Sequence, residues 1–332
     1  MNNNEIVMNS AKHFPGKAMV DFSVIITTYC RPNTLKLTLE SLRKQNNVSG
    51  QIEVLVLDND PLCSAEKAVH EWTHPADWVV KYISQKKKGK TYSMKVGVSE
   101  SSYDTILALD DDIILEPNLL TSYTKAVLKW PNALSFGGPV ICTCPEGVPT
   151  GYDIKGPHRL YLAWPHHDRG TSETVYPKNM NPMGSNRVIR RRAFELGIDW
   201  KTVFMEHGLF NSTEDDMSFG RRIHEMGGTM VYVPQAKVTH LVTKKAFSFK
   251  NLCRRYYSYG RYQFLSTDTG HDRIKKYKYS FRGIVSNFSK SIYCFLTGKS
   301  SGGRYHFFEV VREIGMAKEL LKAIIFNNEP IS

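Results

Sequence analysis

The chain has 332 residues, 41% of them apolar and 11% aromatic, which is enough to fill a core and too apolar for a disordered polymer. The formal charge is +12, and the stretch from Lys244 to Ser332 holds 17 Lys and Arg against 6 Asp and Glu, so nearly all the excess sits in the last quarter. No apolar run approaches the roughly 20 residues that cross a bilayer, and the opening lacks the apolar core of a secretion signal, so the cytoplasm is the expected location. Six scattered cysteines, without a second pair or histidines at zinc spacing, read as reduced thiols.

In chain order, FSVIITTY from Phe22 to Tyr29 reads as a first strand. Arg31-Pro32-Asn33-Thr34 then opens a helix with Leu35, Leu39 and Leu42 on one face. Further strands are expected at Ile52 to Asp58, Trp78 to Ser84 and Asp104 to Asp112. Near-continuous apolar runs suit strands buried on both faces, and their alternation with helices predicts a mostly parallel α/β sheet. Ligands bind such sheets beyond the C-terminal strand ends, which here read TTYCR, LDND and LDDD. Farther on, ALSFGGPV reads as one strand, and the Gly/Pro/His-rich stretch from Cys142 to Gly184 has no clear period. A helix is expected from Glu214 to Met226, then a strand from Thr229 to Pro234, then QAKVTHLV. The tail is basic and aromatic, and Phe307, Val311, Ile314, Leu321 and Ile325 fall at amphipathic helical spacing near its end.

The sharpest chemical feature is ILALDDDIILEP, a strand core that empties into Asp110, Asp111 and Asp112. Alternate carboxylates on an extended end point to the same side and suit a hard divalent ion that also holds phosphate oxygens. The plainer reading is that these acids only cap the strand. In STEDDMSFGRRIHEMGG, Thr213 can cap a helix whose first turn carries Glu214, Asp215 and Asp216. The helix dipole alone favours acids there, and an exposed one can also act as general base toward a hydroxyl.

Taken in order, VIITTYCRP, LDND, LDDD, GSNRVIRR and TEDDMSFGRRI resemble the family 2 glycosyltransferases of the GT-A fold, over about residues 22 to 245. The resemblance implies a Rossmann-like, mostly parallel mixed sheet flanked by helices. It divides the chain into an extension at 1–20, a catalytic domain at 21–245 with nucleotide-binding (21–115) and acceptor (116–245) halves, and a basic helical region at 246–332. It implies that Thr27, Thr28, Tyr29 and Arg31 line the nucleotide, with Asp58 reaching the base and Asp111 beside them. Asp110 and Asp112 look like the family's DxD pair, Asp112 as the direct ligand of Mn²⁺ or Mg²⁺, and His240 matches a histidine that often completes the site. KKKGKTYSMKVG is similar to a family segment in which Lys90 meets the diphosphate, although Lys95 stands where Asn is usual. Asn186 falls in a G-x-N segment near the donor sugar. The base motif aligns best with Asp216 as base and Asp215 as its neighbour, which leaves Phe219 and Ile223 in apolar slots.

The implied reaction is transfer of a single hexose or N-acetylhexosamine, from UDP by family habit, to a hydroxyl acceptor that is often lipid-linked, with inversion. Cell-surface polysaccharide or glycoconjugate synthesis is the matching role. Processive synthases are set apart by the missing Q-x-x-R-W motif, and sugar nucleotidyltransferases by TTYCRPN in place of their Gly-rich opening loop. The rival is a binding module whose basic, aromatic tail holds RNA or DNA, though no nucleic-acid motif is present. A tail that docks on anionic lipid through the final amphipathic helix accounts for the same charge and makes the protein peripheral on the inner face of the membrane.

Overall fold

A computed structural model describes residues 19–87, 89–198, 212–267 and 271–326, with the side chains of 212–216 and 265–267 outside that description. Strand β1 (Phe22–Thr28) is buried at every position, as its unbroken apolar run dictates. Helix α1 (Pro32–Arg43) starts on a proline, whose missing N–H costs nothing in a first turn. There follow β2 (Ile52–Asp58), the short α2 (Glu66–His70), β3 (Val79–Ser84), α3 (Lys90–Glu100) and β4 (Thr105–Asp110). β1 pairs in parallel with β2 and β4, and β2 with β3, in a register that sets Thr28 beside Asp58 and Thr27 beside Asp110. The three polar strand ends therefore converge on one rim.

After β5 (Ile113–Leu115) and α4 (Leu119–Lys129), the stretch read as one strand divides. β6 (Ala133–Gly137) joins the large sheet, and β7 (Val140–Thr143) joins a small one. The Gly138 backbone packs against the Ala236 carbonyl so closely that a Cβ would overlap it, and the chain changes sheet there. β8 (Thr174–Val175), β9 (Asn186–Arg190), α5 (Arg191–Glu195), α6 (Ser212–Glu225), β10 (Thr229–Tyr232) and β11 (Val238–Leu241) complete this part. The large sheet runs β3-β2-β1-β4-β9-β6-β10-β8, with β9 antiparallel to both β4 and β6, so the sheet is mixed. The small sheet runs β5-β11-β7.

Alternate residues of β1 feed opposite faces. Val24 and Ile26 pack with Leu35 and Leu39 of α1 and Tyr123 of α4. Ile25 packs with Met94 of α3 and Phe219 and Ile223 of α6. Each such side chain, fully buried, contributes about 1.5–3 kcal/mol. A third cluster joins the aperiodic stretch to the tail: Leu160, Leu162 and Trp164 pack against Phe247, Leu252, Tyr256 and Phe308.

A 3₁₀ turn (Lys244–Phe247) leads into three long helices, α7 (Phe249–Thr267), α8 (Arg273–Leu296) and α9 (Ser300–Ile325). α9 packs against both of the others. The final helix buries Phe308, Val310 and Leu320, while Ile314, Leu321 and Ile325 of the stripe read from its sequence stay exposed, and a larger set of exposed apolar side chains lies on α8.

Candidate active site

The aspartate run ends β4 at Asp110 and continues through a turn to β5. Asp110 and Asp112 each bring a carboxylate oxygen near His240, and Asp111, between them, is fully buried. Its Oδ2 accepts a 2.6 Å hydrogen bond from the Thr28 hydroxyl, and Arg31 pairs with its Oδ1 at 2.6 Å. Burial pushes the Asp111 carboxyl up to about 7, against the pull of Arg31. Asp111 thus ties the end of β4 to β1 and holds Arg31. Arg31 also pairs with Asp112.

His240 arrives from the small sheet, where it lies opposite Ile113 on one side and Cys142 on the other. The Leu241 N–H donates to the Asp112 carbonyl at 2.8 Å, and the Thr38 hydroxyl both donates to and accepts from the Ile113 backbone. One ligand atom each from Asp110, Asp112 and His240 lies within 4.8 Å of the others. Lys90, first residue of α3, pairs with Asp110 Oδ1 at 2.5 Å. Asp112 and His240 keep 13% and 15% of their side chains exposed, so the cluster is sheltered but reachable.

Burial alone would raise Asp112, but the His240 imidazole and the Arg31 and Lys90 cations hold it well below the ordinary carboxylate range. Burial would likewise lower His240, yet the contact with Asp112, helped by Cys142 and Asp110, raises it. Two carboxylates and an imidazole are a donor set for a hard to borderline divalent ion such as Mg²⁺ or Mn²⁺. Asp112 Oδ1 is buried and lies 3.1 Å from His240 Nε2 without a well-directed hydrogen bond, and such an ion would satisfy it. The residues present therefore fit the group.

Thr27 and Thr28 are buried at the end of β1, and Tyr29 is half exposed just beyond it. Asp58 is fully buried at the end of β2, where it accepts from the Asp60 and Ala65 N–H groups and the Tyr82 hydroxyl. It fixes the shape of the turn below the site. Asn186 is fully buried too: Oδ1 accepts from the Tyr123 hydroxyl at 2.8 Å, and Nδ2 donates to the Ala236 and Pro139 carbonyls. Its amide clamps β9 to the β6–β7 junction and the turn before β11. The acids Asp215 and Asp216 fall in the first turn of α6, and their side chains lie outside the described residues.

Two contributors were not singled out from the sequence. The Asn59 amide donates to the Gln85 and Lys87 carbonyls at 2.8 Å and accepts from the Gly89 N–H at 2.5 Å. It holds the lysine-rich turn whose Gly89, at φ 126°, launches α3 with Lys90 facing the acids. Cys142 sets its Sγ 3.9 Å from His240 Nδ1. LDND marked the neighbourhood of the first, and nothing in the sequence marked the second.

The fold agrees with comparisons to known proteins. A curated relative, the glucosyl-dolichyl phosphate glucuronosyltransferase of Haloferax volcanii, is 25% identical over 222 residues, which cover 66% of this chain and 68% of that protein. The fold is similar to the mannosyltransferase PcManGT from Pyrobaculum calidifontis, solved with GDP-Man and Mn²⁺ (TM-score 0.50, 16% identity, 93% of this chain and 76% of that one). It is equally similar to S. aureus TarS 1-349 (TM-score 0.50, 10% identity, 93% and 92% of the two chains). Residues 23–197, more than half of the chain, match the family described as Glycosyl transferase family 2, and the chain belongs to that family.

Proposed function

We propose that the protein transfers a single sugar, with inversion, from a nucleotide diphosphate sugar to the hydroxyl of a lipid-linked acceptor. The observation that carries this reading is the convergence of Asp110, Asp112 and His240 within 4.8 Å, beyond the C-terminal ends of parallel strands. Uridine diphosphate sugars, hexoses or N-acetylhexosamines, are the donors we favour, from the resemblance of the nucleotide-side motifs. The lipid-linked acceptor is supported by the name of the Haloferax volcanii relative.

Asp110, Asp112 and His240 would hold the divalent ion, which when bound supplies positive charge against the departing diphosphate. Thr27, Thr28 and Tyr29 would seat the nucleotide, and Lys90 and Arg31 add fixed cations on the same rim. Asp216, with Asp215 as neighbour, would take the acceptor hydroxyl's proton as that oxygen attacks the anomeric carbon opposite the leaving group. One displacement inverts the centre. The raised His240 carries a proton that a bound cation must displace, so metal affinity rises with pH.

Thermal midpoints with UDP, GDP and dTDP, each with and without Mn²⁺, test the reading through stabilisation by mass action. A shift that requires both Mn²⁺ and one nucleotide is expected. Asp112→Ala should abolish it, and Asp216→Asn should keep it and stop transfer. Absence of a shift with every pair overturns the metal-dependent site.

A further inference from the structure

Helix α8 is built the wrong way round for a helix in water. Its inward face carries small residues, with Ser280, Ser291 and Cys294 all under a tenth exposed and Gly283 set against the Glu313 side chain of α9. The Ser280 hydroxyl donates to Glu313 Oε2 at 2.7 Å, and the Ser291 hydroxyl to the Gly303 carbonyl at 2.8 Å. On the outward face Ile274, Phe281, Val285, Phe288, Ile292 and Leu296 recur at spacings of seven, four, three, four and four residues, one stripe along the helix. They are 44% to 83% exposed. A soluble helix turns such a stripe to the core, and a patch of this extent left outside marks a surface with a partner.

Charge says which partner. From Arg273 to Lys299 the chain holds seven Lys and Arg and no Asp or Glu. Lys275, Lys278, Arg282, Lys290 and Lys299 are exposed. Where α8 begins, a cleft of about 580 Å³ is lined by Asp272, Arg273, Lys275 and Lys278, with Ala323 and Ile324 of α9 behind them. Apposing two copies of this face would bring like charges together. A nucleic acid would neutralise the cations and leave the apolar stripe in water. Among the described residues no helix is long and apolar enough to cross a membrane.

We infer that the outward face of α8 docks on an anionic lipid surface. The helix, about 36 Å long, lies in the interface with its stripe among the acyl chains and its lysines and arginines at the headgroups. This deepens the reading of a lipid-linked acceptor, and because binding is measured without donor or acceptor, the two can fail separately.

The test is sedimentation of the full chain with vesicles of phosphatidylcholine alone or of phosphatidylcholine and phosphatidylglycerol in equal parts. Binding to the anionic vesicles, weakened by salt and weak on phosphatidylcholine, is expected. The double variant Phe281→Ser/Phe288→Ser, altered only at exposed positions, should keep the parent's thermal midpoint and lose about tenfold or more in vesicle affinity. Lys275→Glu/Lys278→Glu should lose the preference for anionic lipid. No vesicle binding, binding that survives the Phe281/Phe288 change, or a concentration-dependent dimer that the same change dissolves would each overturn the inference.

Discussion

Asn186 holds a tyrosine hydroxyl and two backbone carbonyls with a single amide, all out of water. Asn186→Ala strands those groups, and a loss of about 2–4 kcal/mol in stability is expected from unpaired buried polar atoms. If the amide touched the donor instead, the variant would melt like the parent and show a raised KM, so denaturant unfolding beside steady-state kinetics decides its role. The sequence marked Asn186 only through a G-x-N segment and could not say which way its amide faces, because such a segment serves a turn and a ligand equally. Asp111 shows a similar limit: three consecutive acids announce a polar strand end, but nothing in the sequence says that the middle one is buried against Thr28 and Arg31. Asp110 and Asp112 were legible as acids two apart at the end of a plain apolar strand, and His240 only through the family resemblance, because β11 is short and partly polar.

At the scale of elements, the turn before α3 depends on one side chain. Asn59→Ala removes all three of its hydrogen bonds to Gln85, Lys87 and Gly89 and loosens the presentation of Lys90. We expect donor KM to rise about tenfold, a ~1.4 kcal/mol loss of binding, with the sheet intact. An unchanged KM would show that the loop keeps its shape without the clamp. Elements were read well wherever periodicity and burial agree, as in β1, β2 and β4. Two were not. ALSFGGPV offers an unbroken strand pattern, and its division at Gly138 is forced by a backbone contact with Ala236 that no local pattern encodes. α8 has the periodicity of an amphipathic helix, but a period shows which face is apolar and never whether that face is turned in or out; the small residues of its packed face decide that.

At the scale of the molecule, the three tail helices form a unit closed by buried charge. Arg312 of α9 pairs with Glu309 at 2.8 Å and Glu313 at 2.6 Å and donates to Gln263 of α7 at 2.6 Å, and Glu313 in turn holds Ser280 of α8. Arg312→Met leaves two carboxylates facing each other without a cation, at a cost of about 3 kcal/mol. Hydrogen exchange should quicken in α8 and α9 while β1 and β4 stay protected; uniform quickening throughout would mean that tail and sheet unfold as one unit. The small sheet has a different consequence. It carries His240 to Asp112 from far along the chain, so a molecule in which β11 has not yet docked owns both aspartates but not the imidazole. The carboxylates and the imidazole thus come from distant parts of the chain. A ribosome must deliver the chain beyond residue 240 before Asp110, Asp112 and His240 can come together, so a chain cut short before β11 keeps the acids and lacks the imidazole.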